Sequence, residues 1–430
     1  MAGRAEPGRG TGVPTWLERR TGITPVINAS LHVRIPISAE TFYFGGITLF
    51  LFMVQAVTGT LLALYYQPTP EAAYDSVKFI TSDVSFGWLI RSVHHWGANL
   101  MILFVVLHMI RIFLQAAYKY PRELVWIVGG GLFVITVGFG FTGYLLPWDQ
   151  KAFWATTVGT EIAGSVPIVG DIALQMLRGG ADVTGATLTR FFGAHVLVLP
   201  ISLAGLLALH LLMVHQLGLA SRKHPDRRPE RARRWRRGAV EPAVSTAEAV
   251  AVSVDATPAA ALTEDPAPAT ATTAAAVEPA PDAPGAPASG TATAAVATAP
   301  VAVASADQPE RLRPFWPNYI LDELIAWYAV IAILVVLASV FPAGLEPKAD
   351  PLSTPAHIKP EWYFLFLYEL LKMVPRLVGV LAPIIGLGIV VLLPVLDRNP
   401  ETRARKRPFA LLGITLILIG VAVLTWMGMS

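Results

Sequence analysis

Residues 88–116, WLIRSVHHWGANLMILFVVLHMIRIFLQA, and residues 191–217, FFGAHVLVLPISLAGLLALHLLMVHQL, decide how this chain folds. Each is long and apolar enough for a membrane-spanning helix. Each also holds two histidines where lipid makes an unsatisfied polar ring costly: His94 and His108 in the first, His195 and His210 in the second. The spacings are fourteen and fifteen residues. On an α-helix that is roughly four turns, so both rings of a pair face one side, about 21–23 Å apart along the axis. Two such helices side by side clamp two planar, bis-histidine metal centres, one near each membrane face. That is the layout of an electron path across a bilayer.

Composition places the path in a membrane. Hydrophobic residues make up 54% of the 430, charged residues 15%, and the net charge is +3. Mean hydropathy is +0.54, far from the balance of a soluble domain. Basic residues cluster between apolar segments, so they report topology and not a nucleic-acid partner. There is no cysteine, which excludes disulfides, thiolate metal sites, iron–sulfur ligation and covalent c-type haem. Residues 1–35 carry no apolar core followed by a small-residue cleavage site, so no removable signal peptide is expected.

Seven spans are expected, at 42–66, 88–116, 124–146, 191–217, 319–341, 376–396 and 408–428. Arg19 and Arg20 precede the first. Lys119 and Arg122 follow the second, nine Lys or Arg lie within 222–237, and Arg398, Arg403, Arg405, Lys406 and Arg407 separate the last two. All four groups fall on one side of a seven-span protein. The positive-inside rule makes that side cytoplasmic, with the N-terminus inside and the C-terminus outside a bacterial inner membrane. The expected division is a cytoplasmic arm over 1–41, a four-helix domain over 42–220, a basic stretch and Ala/Pro-rich disordered linker over 221–310, and a three-helix domain over 311–430.

Other residues repeat the histidine register. Gly45 and Gly59 in the first span, and Gly129 and Gly143 in the third, are again fourteen apart, leaving backbone room for flat groups. A pair of glycines in a membrane helix also serves plain helix packing. Arg91, Arg111 and Arg190 flank the histidines, either to pair with haem propionates or to snorkel to the interface. Pro200, between the ligands of the fourth span, is expected to bend it and absorb the extra residue.

Four segments carry a family resemblance: Arg91-Ser-Val-His94-His-Trp-Gly97, Gly143-Tyr-Leu-Leu-Pro147-Trp148, Thr189-Arg190-Phe-Phe-Gly-Ala-His195 and Pro360-Glu361-Trp362-Tyr363. Together they resemble cytochrome b of the quinol:cytochrome c oxidoreductase (cytochrome bc) complexes. The resemblance covers nearly everything except the arm and the linker. Gly45-Gly-Ile-Thr, Pro121-Arg-Glu-Leu and Pro147-Trp-Asp-Gln are similar to the plastid-type branch, where the four-helix haem subunit and the three-helix subunit IV are separate chains. Glu361-Trp-Tyr-Phe-Leu-Phe-Leu-Tyr368 is closer to the undivided type. Tyr43 stands where the plastid-type branch has the cysteine of an extra c-type haem, so two b-type haems are expected and no covalent one.

The resemblance implies a proton-translocating Q cycle. His94 and His195 would hold an outer haem, His108 and His210 an inner one. Quinol at the outer face would send one electron to a Rieske iron–sulfur protein and the other inward to quinone at the inner face, with a membrane-anchored c-type cytochrome downstream and a homodimeric complex overall. Glu361 would accept the quinol proton, beside Tyr144 and Tyr363; a carboxylate there also fits a simple helix cap. His215, with Asp322 or Glu323, would serve the inner quinone site, although His215 also suits an interfacial position. Asp149 places a carboxylate where the undivided type usually has glycine. His95, His32, His224 and His357 are given no role by the sequence. Two alternatives are a di-haem membrane anchor of another quinone-linked enzyme and a transporter with proton-relaying histidines. The Pro-Glu-Trp-Tyr segment weighs against the first, and a reduced-minus-oxidised spectrum decides the second.

Overall fold

A computed structural model of the chain describes residues 34–36, 43–219, 312–356 and 358–430. Nearly all of the N-terminal arm, the basic run 222–237, the linker 238–309, and His32, His224 and His357 lie outside the described residues.

Described residues form twelve α-type helices, one 3-10 turn (Ala404–Lys406) and one short ribbon. In chain order we label the helices α1 (Phe44–Ala63), α2 (Ala73–Ser82), α3 (Gly87–Leu114), α4 (Glu123–Leu145), α5 (Gln150–Gly164), α6 (Gly170–Arg178), α7 (Gly185–Leu217), α8 (Phe315–Val340), α9 (Trp362–Met373), α10 (Arg376–Val391), α11 (Leu393–Leu396) and α12 (Pro408–Met429). Six are long and apolar enough to cross a membrane: α1, α3, α4, α7, α8 and α12. Their large apolar side chains face outward in quantity, which suits lipid and not water.

The sixth expected span, 376–396, is two pieces. α10 has 16 residues, about 24 Å at 1.5 Å per residue against a hydrocarbon core of about 30 Å. Proline explains the break. Pro394 has no N–H to give the Val390 carbonyl, so the helix ends at Leu392. The indole N–H of Trp126 takes that carbonyl instead, at 2.8 Å.

Pro200 acts differently from the expected bend. The turn before it, Ala194–Val198, is π-helical and contains His195. A π turn holds one more residue than an α turn, so it absorbs the fifteenth residue of the spacing and returns His210 to register.

Helix α1 packs on α3, α4 on α7, α8 on α3 and α1, and α9 on α12. One buried cluster, Ile47, Leu51, Val93, Met101, Leu203, Val330, Leu334 and Ala338, joins α1, α3, α7 and α8. An antiparallel ribbon pairs β1 (Arg34–Pro36) with β2 (Leu312–Pro314), tying the segment before α1 to the one before α8. Between α4 and α7, helices α5 and α6 contribute to a second cluster that includes Leu145, Trp148, Phe153 and Phe191. Asp149 caps α5 by accepting from the Ala152 amide at 2.8 Å. Thr184 and Thr187 form a reciprocal capping box at the start of α7.

Candidate functional site

All four histidines lie on α3 and α7, and each ring sits over a glycine of the neighbouring helix. A Cβ built on Gly59 would be 3.1 Å from His94 Cε1, and one on Gly45 would be 3.1 Å from His108 Cε1. On α4 the corresponding distances are 2.5 Å from Gly143 to His195 Cε1 and 3.3 Å from Gly129 to His210 Cε1. Each of the four glycines thus lies directly against an imidazole ring of the neighbouring helix.

Hydrogen bonding fixes the His94 and His195 rings. Thr58 Oγ1 lies 2.9 Å from His94 Nδ1, and Thr142 Oγ1 lies 3.0 Å from His195 Nδ1. Each hydroxyl spends its one proton on its own helix, on the Val54 carbonyl at 2.7 Å and the Gly138 carbonyl at 2.8 Å. Each therefore accepts from the ring, so Nδ1 carries the hydrogen and Nε2 keeps its lone pair. Gln55 adds a bond from its amide nitrogen to the His94 carbonyl, at 3.0 Å. The threonines were absent from the sequence reading, although Thr-Gly recurs at 58–59 and 142–143.

These residues fit a bis-imidazole metal group. The ring centroids of His94 and His195 are 6.3 Å apart, and two imidazole nitrogens each about 2.0–2.1 Å from one metal require a little over 6 Å. At the other level His108 and His210 are electrostatic neighbours. Phe44 and Val128 replace the threonines there, and His108 Nδ1 is buried without a hydrogen-bond partner.

A cavity of about 610 Å³ opens beside the His94–His195 pair and reaches the loop after α8 and the start of α9. His94, His195, Tyr144, Glu361, Tyr363 and Lys151 line it, with Asp149, His95, Arg91 and Glu346. It thus brings the His94–His195 pair and Glu361 to one space. The Tyr144 hydroxyl is buried without a partner, so it can bond a ligand's polar group. Burial and then the Glu361 charge push the Tyr363 hydroxyl up, keeping it protonated. Glu361 occupies the N-cap position of α9, yet its side chain makes no cap bond. Instead its Oε1 meets Lys151 Nζ at 3.1 Å. Burial pushes the Asp149 carboxyl up, against amide bonds from Ala152 and Glu346 that lower it. Asp149 therefore joins the start of α5 to the loop after α8.

The three arginines differ in placement. Arg91 donates to the carbonyls of Ala343 and Gly344, at 2.7 and 2.5 Å, holding the same loop. Arg190 bonds the Ala186 carbonyl of its own helix at 3.2 Å. Arg111 is half-buried one turn beyond His108. At the start of α8 Asp322 accepts from Arg313 at 2.7 Å and from Tyr43 at 3.2 Å. Glu323 is reached by the Tyr319 hydroxyl at 3.4 Å and packs over Gly46, where a Cβ would be 1.9 Å from its Oε1. His215 is exposed and makes no hydrogen bond or ion pair among the described residues. It is not brought to Asp322 or Glu323.

Paired histidines at two depths of a helical membrane protein, one pair open to a carboxylate-bearing cavity, define a membrane electron carrier built around flat metal groups. Comparison with known proteins gives the family. The model described as cytochrome b/b6/petB matches residues 30–218, and that for cytochrome b(C-terminal)/b6/petD matches 348–430. A cytochrome bc complex cytochrome b subunit from Chlorobaculum thiosulfatiphilum is 33% identical over 413 residues, 94% of this chain and 78% of the relative. Cytochrome b6 of Heliobacterium mobile is 47% identical over 208 residues, 48% of this chain and 98% of its own. A solved structure, "Hyperthermophilic respiratory Complex III", aligns with TM-score 0.71 and 28% identity, covering 97% of this chain and 91% of that one. The chain belongs to the cytochrome b family, with the N- and C-terminal cytochrome b parts fused, and is the di-haem subunit of a quinol:cytochrome oxidoreductase of an electron-transport complex.

Proposed function

We propose that quinol is oxidised in the cavity at the outer face and quinone is reduced at the inner face. His94 with His195 and His108 with His210 hold the two haems, which when bound relay single electrons between the faces. The threonine-fixed tautomer is what supports the outer assignment: it presents two neutral Nε2 lone pairs across a gap of the right width.

Quinol oxidation yields quinone, two protons and two electrons. In this reading Glu361 takes a hydroxyl proton from quinol, and the Tyr144 hydroxyl bonds the ring oxygen. Tyr363 closes the apolar wall. One electron leaves to a Rieske iron–sulfur protein and onward to a membrane-anchored c-type cytochrome, while the other goes inward. Because the chain has no cysteine, those iron–sulfur and c-type centres belong to partner chains. Inner-face proton uptake falls to Asp322 and Glu323; the exposed His215 is the weakest member of that set. The relatives' membership of cytochrome bc and Complex III assemblies supports these partners and a dimeric complex. The basic loops support seven spans in a bacterial inner membrane, with α10 and α11 together as the sixth, the N-terminus inside and the C-terminus outside. The two matched regions, 30–218 and 348–430, fall on either side of the proposed linker and so support a division into 42–220 and 311–430.

The Glu361 side chain, uncapping and turned into the cavity, carries the quinol-oxidising reading. Quinol:cytochrome c reductase activity of the intact complex tests it. With Glu361→Gln, turnover is expected to fall about 10²-fold, as for loss of a general base, with both haem α-bands retained. Unchanged turnover removes Glu361 from the role.

A further inference from the structure

Lys151 is the second residue of α5, where the positive end of the helix dipole disfavours a cation. Its position is explained by what its ammonium meets. Nζ is 3.1 Å from Glu361 Oε1 and 5.6 Å from the centroid of the Tyr144 ring. It therefore bridges the two cavity residues on which the proposed quinol chemistry depends. The Lys151 side chain is 38% exposed and that of Glu361 is 18% exposed. The pair thus runs from the cavity wall to its mouth.

We propose that Lys151 is a positioning residue for quinol oxidation, clamping the Glu361 carboxylate in the cavity until it takes a proton. This rests on Glu361 being the proton acceptor. An ammonium at this distance attracts the carboxylate and fixes where it points, and Asp149, which caps α5, fixes the backbone from which Lys151 reaches. The cation also lies near the Tyr144 ring face, whose quadrupole attracts it. Once Glu361 is protonated the Coulomb attraction is gone. The neutral acid is then released from Lys151 at the cavity mouth, where water takes the proton. Without Lys151, the carboxylate loses the cation that holds it at the cavity wall and turns away from the quinol.

The test is a set of variants in the intact complex, assayed with a short-chain quinol and soluble cytochrome c: Lys151→Met, Lys151→Arg, Glu361→Gln and the double variant Lys151→Met/Glu361→Gln. Lys151→Met is expected to lower kcat about tenfold, with KM within about twofold and both haem spectra retained. Lys151→Arg should recover most of the loss. The double variant should be no slower than Glu361→Gln alone, because the two residues act as one unit. If Lys151→Met matches the parent while Glu361→Gln is slow, the clamp is wrong and the proton acceptor stands. A further loss on adding Lys151→Met to Glu361→Gln also overturns the clamp, since Lys151 would then act elsewhere. Parent-like turnover of Glu361→Gln removes the acceptor and the clamp together.

Discussion

At the scale of single residues, each proposed ligand depends on what its neighbour lacks. A ring packed over a glycine leaves no room for a methyl group, and forcing one in costs about 1–3 kcal/mol where the neighbour cannot give. His195 can give least, because Thr142 holds its Nδ1 and the π turn holds its backbone. We therefore expect a graded series. Gly143→Ala, with its Cβ 2.5 Å from His195, should lose most of the outer haem, whereas Gly129→Ala, at 3.3 Å from His210, should keep nearly all of the inner one. Gly45→Ala and Gly59→Ala, both at 3.1 Å, should fall between. Haem content per chain and the two α-bands measure it, and equal loss across the four would show that the rings are not the groups being displaced. The histidines and glycines were legible in sequence because register in a helix is strictly periodic. Thr58 and Thr142 were not, since a threonine in a membrane helix usually bonds its own backbone, and these do that as well.

Among elements, the positions where helices stop were the least legible. Pro394 marks an end of α10 in the sequence, but that Trp126 of α4 takes the freed carbonyl is a tertiary fact. The end of α3 is similar. Its last carbonyls, Phe113 and Leu114, accept from Arg407 at 3.2 and 3.0 Å, and Arg407 is 1% exposed. Sequence reading counts Arg407 as one more cytoplasmic charge; the structure buries it as a cap for a helix nearly 300 positions earlier. Arg407 also donates to the Tyr118 hydroxyl at 3.1 Å, and Tyr118 in turn donates to Asp397. Lys119 completes the group, 2.9 Å from Asp397. Burial alone would raise the Asp397 carboxyl, but the hydrogen bonds from Tyr118 and Lys119 outweigh it and hold it below the usual range. A depressed carboxyl stabilises the fold at every pH above its unfolded value, about 3.9, and that contribution is lost as pH falls through the lower folded value. Thermal melting of the detergent-solubilised protein should therefore drop more steeply for the parent than for Asp397→Asn below about pH 4. The variant should be less stable at pH 7, with the two curves converging in acid; parallel curves would show that Asp397 adds nothing through its charge.

For the whole molecule, the issue is whether the two matched regions need to be one chain. The cytochrome b6 relative spans only the first, 98% of its own length against 48% of this chain. What crosses between the halves here is extensive. Leu334, fully buried, packs in the cluster with Leu51 and Val93. The ribbon joins Arg34–Pro36 to Leu312–Pro314. Arg91 holds Ala343 and Gly344, the Trp96 indole donates to the Phe341 carbonyl at 2.7 Å, and Trp362 donates to Asn99 at 2.8 Å. In lipid the hydrophobic effect does not drive helices together, so such packing and hydrogen bonds must carry the association. The outer cavity itself is shared, since Glu361 and Tyr363 come from one half and His94, His195, Tyr144 and Lys151 from the other. A covalent link then raises the effective concentration of the second half without being needed for the site. Co-expression of residues 1–237 and 310–430 as two chains should yield a complex that co-purifies, shows both haem α-bands and oxidises quinol within about threefold of the parent. Haem spectra in the first chain alone, with no recovery of quinol oxidation when the second is supplied, would mean that the contacts across the halves are too weak to assemble the cavity without the residues between them.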